Sequence, residues 1–127
     1  MYAMILAGGK GERLRPLTDT LPKPMVPVCG KPILGHQVEW LTGAGVTDVV
    51  FLSGYLSQTI EEYFGDGSRF GMRAHYSVED SPLGRGGAIR HGIRLVPEEE
   101  ETLLVLNGDI ITDQSLKSLM DRHREKK

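Results

Sequence analysis

The sequence holds one cysteine, Cys29, so no internal disulfide can form, and one thiol without a Cys or His cluster beside it makes no zinc pattern. Cys29 is expected as a small buried hydrophobe. The four histidines, His36, His75, His91 and His123, have no mutual spacing that suggests a metal site. Positive charge is not in excess: 15 Lys and Arg against 17 Asp and Glu leave a net −2, so no global field draws the chain to nucleic acid or an anionic membrane. Apolar runs fall far short of a membrane span, and no basic n-region or cleavage site precedes the first strand, so a cytoplasmic location is expected. Internal repeats and low-complexity stretches are missing too. What is present, 127 residues with 39% hydrophobic and 25% charged, is the make-up of one soluble globular domain.

Four apolar segments alternate with segments of helical spacing, the pattern of a parallel sheet covered by helices, so the class is α/β. The first strand is expected over about Tyr2 to Ala7, and a helix from about Ile33 carries Leu34, Val38 and Leu41 and ends at Gly43 and Gly45. Val49 to Leu52 make a second strand that is apolar on both faces; Ser57 is placed to cap a short helix with Ile60, Tyr63 and Phe64 inward. In the third strand, Met72, Ala74, Tyr76 and Val78 alternate with Arg73, His75 and Ser77, which predicts an edge strand with one wet face. A helix with Ala88, Ile89, Ile93, Leu95 and Val96 follows, then a strand at Thr102 to Leu106, then a helix with Leu116, Leu119 and Met120 on one face.

Right-handed crossovers make 3-2-1-4 the simplest doubly wound strand order, with the winding reversing between the first and fourth strands. Ligands bind above such a switch point. The segments leaving those two strands are Gly8-Gly9-Lys10-Gly11 and Asn107-Gly108-Asp109, so topology and residue chemistry indicate the same place. Leu103 to Leu106 reads as a strand buried on both faces, yet in a four-stranded sheet it lies at an open edge and needs a partner. Either a second copy of the chain or a missing carboxyl-terminal half would supply one. The polar end from Arg122 to Lys127 reads as the frayed tail of a helix rather than a domain terminus.

Between Gly8 and Lys31 the cations Lys10, Arg13, Arg15, Lys23 and Lys31 face only Glu12 and Asp19, a local +3 that leaves −5 on the rest of the chain. A positive loop that opens on glycines, letting backbone N–H groups approach a ligand, is how a phosphate site is built. Five prolines, Pro16, Pro22, Pro24, Pro27 and Pro32, stiffen this long segment, which is expected to lack regular structure. Two common Gly-rich motifs do not match. A dinucleotide fingerprint needs a third glycine where Leu14 stands, and a P-loop needs Ser or Thr after Gly9-Lys10, where Gly11 stands.

The run Leu6-Ala7-Gly8-Gly9-Lys10-Gly11-Glu12-Arg13-Leu14-Arg15-Pro16-Leu17-Thr18, with Pro22-Lys23-Pro24-Met25, Pro82-Leu83-Gly84 and Asn107-Gly108-Asp109, resembles the sugar-phosphate nucleotidyltransferases, or NDP-sugar pyrophosphorylases. The resemblance implies a Rossmann-like fold, truncated, with residues 1–127 forming the nucleotide-binding, amino-terminal part of the catalytic domain. It implies a reaction in which a sugar 1-phosphate oxygen attacks the α-phosphorus of a nucleoside triphosphate and pyrophosphate leaves. Two anions must meet, so catalysis consists of positioning and neutralisation. By resemblance, Leu6, Ala7, Gly8, Gly9 and Gly11 lie along the nucleotide, with Gly84, Asn107 and Gly108 completing its site. Arg13 grips the departing pyrophosphate, Lys23 reaches the α-phosphate and Asp109 holds Mg²⁺. Read without the motif, Asp109 is a turn residue, Lys23 a solvated charge and Arg13 a surface ion-pair partner.

Glu79 lies in the segment that must return from the edge strand to the switch point, the natural wall for a nucleobase. Guanine offers two adjacent donors that one carboxylate can accept, which favours GTP, with mannose 1-phosphate or a heptose phosphate as acceptor. Asp80 is the alternative acid, and Glu79 holding the loop is the alternative role. Glucose 1-phosphate with dTTP or UTP is the second substrate reading, and a truncated triphosphate-binding module without turnover is the reading from another class. Arg85-Gly86 stand where many of the similar proteins have Thr-Ala; Arg85 either touches a phosphate or is an exposed charge.

Overall fold

Alternate residues of the first strand enter different cores, and this places helices on both faces of the sheet. The computed structural model describes residues 1–9 and 11–126, so Lys10 and Lys127 lie outside the described residues. In chain order the elements are β1 (Tyr2–Leu6), β2 (Pro27–Val28), β3 (Lys31–Pro32), α1 (Ile33–Gly43), β4 (Asp48–Ser53) and α2 (Ser57–Phe64). They continue with β5 (Arg73–Val78), α3 (Gly84–Gly92), β6 (Leu103–Asn107) and α4 (Leu116–Glu125). Ala3, Ile5 and Ala7 pack with Leu34, Val38 and Leu41 of α1, Ile60 and Phe64 of α2, and Leu116 of α4. Met4, between them on the strand, packs with Val50 and Leu52 against Ala88, Ile89, Leu95 and Val96 on the other face. Each fully buried aliphatic or aromatic side chain contributes roughly 1.5–3 kcal/mol, so the two layers together hold the sheet.

The four long strands are parallel in the order β5-β4-β1-β6, the 3-2-1-4 arrangement expected, while β2 and β3 form a separate antiparallel pair. The register sets Leu6 beside both Leu52 and Asn107. Every residue of β4 is buried, as its continuous apolar run requires. At the β6 edge Val105 is 39% exposed, so the burial on both faces expected from the sequence is not reached with β1 as its neighbour. Among the described residues no helix is long and apolar enough to cross a membrane.

Several local expectations are corrected. Ser57 is the first residue of α2 rather than its cap; Leu56 takes the cap position in the left-handed region, with φ 53°, and no side chain caps the helix. The wet face of β5 is partly covered, with Ser77 buried and Val78 exposed. The cause is α3, whose Gly92 sits close over Ser77 and lets the helix approach Leu52 and Met4, with which a Cβ would collide. Leu119 points to solvent, while Leu116 and Met120 face the core. Cys29 is exposed, because the turn joining β2 to β3 needs two residues at positive φ and Cys29 (53°) and Gly30 (77°) supply them. The loop from residue 11 onward is not structureless: Glu12–Leu14, Leu17–Asp19 and Lys23–Met25 form single 3-10 turns before the hairpin.

At the opposite end of the sheet, Asp48 is 1% exposed and accepts from Arg73 Nε and Nη2 at 2.8 and 2.9 Å, and from Thr47 Oγ1 at 2.6 Å. His75 Nε2 lies 3.0 Å from it, and the imidazole stacks on Tyr2. The Arg73 hydrogen bonds hold the Asp48 carboxyl well below the ordinary carboxylate range, in spite of desolvation. A depressed folded-state pKa means that this contribution to stability is complete above the unfolded value of about 3.9 and is lost only as pH falls further, through the folded value. Asp48→Ala is expected to cost about 2 kcal/mol by chemical denaturation at pH 7. Asp48→Asn should narrow its deficit against wild type only below about pH 4, and a deficit already closing at pH 6 would contradict the assignment.

Candidate functional site

Beyond the last paired residues of the sheet, the ladder runs one step further. Ala7 N donates to Leu52 O, Glu79 N to Ser53 O and Gly108 N to Leu6 O, each at 2.8 Å. The segments that begin at Gly8 and Asp109 therefore leave the sheet side by side, and the Glu79 segment leaves it across β4. They open into a cleft of about 580 Å³ above the β1–β6 switch point. Of the residues singled out from sequence, Leu6, Gly8, Gly9, Lys23, Glu79, Gly84, Asn107 and Asp109 line it, joined by Arg85.

The others stand apart. Ala7 is wholly buried beneath the floor and Gly108 is buried between Leu6 and Pro24, both shaping the cleft from behind. A Cβ on Gly108 would come 2.7 Å from the Leu6 carbonyl oxygen, a backbone atom, so glycine is required for β6 to turn so close to β1. Gly11, at φ 58°, is held back against the loop, its carbonyl accepting from the buried Thr18 hydroxyl at 2.7 Å. Tyr55 in turn donates to the Thr18 carbonyl at 2.9 Å. Arg13 is exposed on the first 3-10 turn and does not line the cleft.

Inside the cleft, Lys23 Nζ donates to Asp109 Oδ2 at 2.9 Å. This hydrogen bond, and then the charges of Lys23 and Arg85, hold the Asp109 carboxyl below its ordinary value against partial desolvation. Glu79 turns its Oε2 toward the Leu83 N–H at 3.4 Å, so it also holds the segment leading to α3. Its side chain fills the space above Gly54, where a Cβ would lie 3.0 Å from Glu79 Cγ. Asp80 is exposed and does not line the cleft.

Sequence reading missed Gln37. It is 3% exposed on the core face of α1, and its Nε2 donates to both Asn107 O and Ile110 O at 2.6 Å, straddling Asp109. Trp40 continues the anchoring, donating from Nε1 to Gln114 O at 2.7 Å. The available signal was an amide among Leu34, Val38 and Leu41, since a polar side chain on a buried stripe needs a partner.

Among the described residues no group of three or more His, Cys, Asp and Glu side chains converges on one point. A metal held by protein alone has no cage here. The Asp109 carboxylate, a hard ligand in a cleft with room for phosphate groups, does fit Mg²⁺, which takes one or two carboxylates and draws its other ligands from water and substrate phosphate. Lys23→Ala is expected to return the Asp109 carboxyl toward the ordinary carboxylate range. A carbon-13 NMR titration of the side chain reads this directly, and an Asp109 pKa that stays put would refute Lys23 as the main cause.

The family model described as nucleotidyl transferase matches residues 2–127. A mannose-1-phosphate guanylyltransferase of Mycobacterium tuberculosis is 41% identical over 122 residues, covering 96% of this chain and 33% of that protein. A UTP–glucose-1-phosphate uridylyltransferase of Synechocystis is 38% identical over 135 residues, covering 99% of this chain and 35% of that one. The crystal structure of HddC from Yersinia pseudotuberculosis complexed with GMP-PN superposes with a TM-score of 0.82 at 30% identity, over 95% of this chain and 53% of that chain. The chain thus spans about a third of the length of these curated relatives. With its motifs, its strand order and a family match over nearly all its residues, the chain belongs to the nucleotidyl transferase family.

Proposed function

We propose that the chain is the nucleotide-holding, amino-terminal part of a cytoplasmic sugar-1-phosphate nucleotidyltransferase, using GTP and mannose 1-phosphate or a heptose 1-phosphate. The observation that carries this reading is the Lys23–Asp109 ion pair inside a cleft bordered by Gly8, Gly9 and Glu79. Ion pairs this exposed, near 40% on each side chain, contribute little to stability, so little is lost by opening it. A triphosphate entering the cleft draws Lys23 onto phosphate oxygens and frees the Asp109 carboxylate. Mg²⁺ held there would neutralise the phosphate charge that builds as pyrophosphate leaves.

Lys23 then neutralises the α-phosphate as the sugar phosphate oxygen approaches in line, and the N–H groups of Gly8 and Gly9 face the triphosphate without side-chain obstruction. Arg13 serves the pyrophosphate only if its 3-10 turn swings inward. Glu79 accepts the two adjacent donors of guanine, and the guanylyltransferase relative and the nucleotide-bound HddC support that base. The uridylyltransferase relative keeps UTP as the competing substrate.

Isotope exchange of pyrophosphate into GTP, over a panel of sugar 1-phosphates, tests the reading. Lys23→Ala is expected to abolish exchange, and Glu79→Gln to lower GTP use relative to dTTP by about tenfold or more. An unchanged preference would refute base reading by Glu79. The second reading is nucleotide binding without turnover. GTP binding with no exchange for any sugar phosphate would select it.

A further inference from the structure

Arg85 is unassigned by the reaction just described. Among the described residues two cations line the cleft, and they reach it from opposite layers of the fold. Lys23 arrives beside Met25, which packs in the core of α1 and α2; Arg85 arrives on α3, whose Ala88 and Ile89 pack on the other face of the sheet. Lys23 is occupied by Asp109 and Glu79 is turned to the Leu83 N–H. Among the described charged residues that line the cleft, Arg85 alone makes no hydrogen bond or ion pair with a described residue, yet it lies close enough to Asp109 for its charge to act there.

Its backbone is fixed. Gly84, at φ 73°, turns the chain into α3, and four and five residues later Ala88 and Ile89 begin the contact with Met4, Val50 and Leu52. An exposed arginine elsewhere on the surface reads as a solvated charge, but this one stands at a packed helix start and lines the same cleft as Gly8 and Gly9. The formal charges of the described residues lining the cleft cancel, Lys23 and Arg85 against Glu79 and Asp109, so among those residues an entering phosphate finds Arg85 as the one cation not yet engaged. A guanidinium presents paired donors to two oxygens of one phosphate.

We propose that Arg85 is a phosphate-binding residue of the cleft, gripping anionic phosphate oxygens from the layer opposite Lys23. The phosphate belongs either to the triphosphate or to the sugar 1-phosphate, and this rests on the nucleotide reading above. Calorimetric titration of the full chain, its Arg85→Ala variant and its Arg85→Lys variant with pyrophosphate, GTP, guanosine and mannose 1-phosphate separates the cases. Circular dichroism checks that the exposed substitutions leave the fold intact.

The expected result is a loss of about tenfold in pyrophosphate and GTP affinity for Arg85→Ala, partial recovery in Arg85→Lys, and unchanged guanosine affinity. A loss confined to mannose 1-phosphate assigns the same contact to the acceptor. Equal losses for guanosine and GTP would make Arg85 a base contact and overturn the proposal, as would unchanged affinity for every ligand. If the wild type binds pyrophosphate through Arg85 but gains nothing from a nucleoside, the phosphate role stands and the nucleotide reading falls. If the wild type binds none of the four, both fall.

Discussion

Three backbone hydrogen bonds at the carboxyl edge of the sheet decide where every segment of the cleft begins. Ala7, Glu79 and Gly108 each donate to the neighbouring strand one residue past its last pair, which keeps each chain exit within a strand spacing of the strand beside it. None of these bonds involves a side chain. They follow from parallel pairing in the order β5-β4-β1-β6, and that order follows from how two apolar layers divide the residues of β1. The Gly8 segment and Asp109 are neighbours because strands far apart in sequence are neighbours.

Charge is then distributed on this frame in two ways. At the amino ends of the strands, Asp48 is buried and its demand is met by Arg73, Thr47 and His75, so the pairing of β4 with β5 carries its own electrostatic lock. At the carboxyl ends, the opposite charges of Lys23 and Asp109 meet in a half-open cleft, where water screens them and a ligand can separate them. The first arrangement suits permanence and the second suits exchange. Gln37 links the two demands: it spends its amide on the Asn107 and Ile110 carbonyls and so steadies the Asp109 turn from inside the core.

Most of the cleft was legible before any coordinates, for a specific reason. Glycines that allow close approach, a lysine between prolines and an acid after a buried strand are local marks, and the switch-point rule supplies the one long-range statement needed to unite them. What was not legible depended on what packs over each residue. Ser77 and His75 fall on what the alternation marks as a wet face, but α3 lies against Ser77 and the Tyr2 ring stacks on His75. Cys29 has the size of a core residue, yet a hairpin turn claims it for its backbone angle. Arg13 carries the motif but is exposed on its 3-10 turn, outside the residues that line the cleft.

By itself, the sequence determined the class, the strand order and the list of candidate residues, because periodicity and turn chemistry are local and parallel crossovers have one hand. Only the tertiary structure decided that Lys23 closes on Asp109, that Gln37 anchors the turn and that Arg85 stands free in the cleft. Each of those facts concerns a distance between side chains far apart along the chain, and residue spacing carries no information about such distances until the two layers have packed.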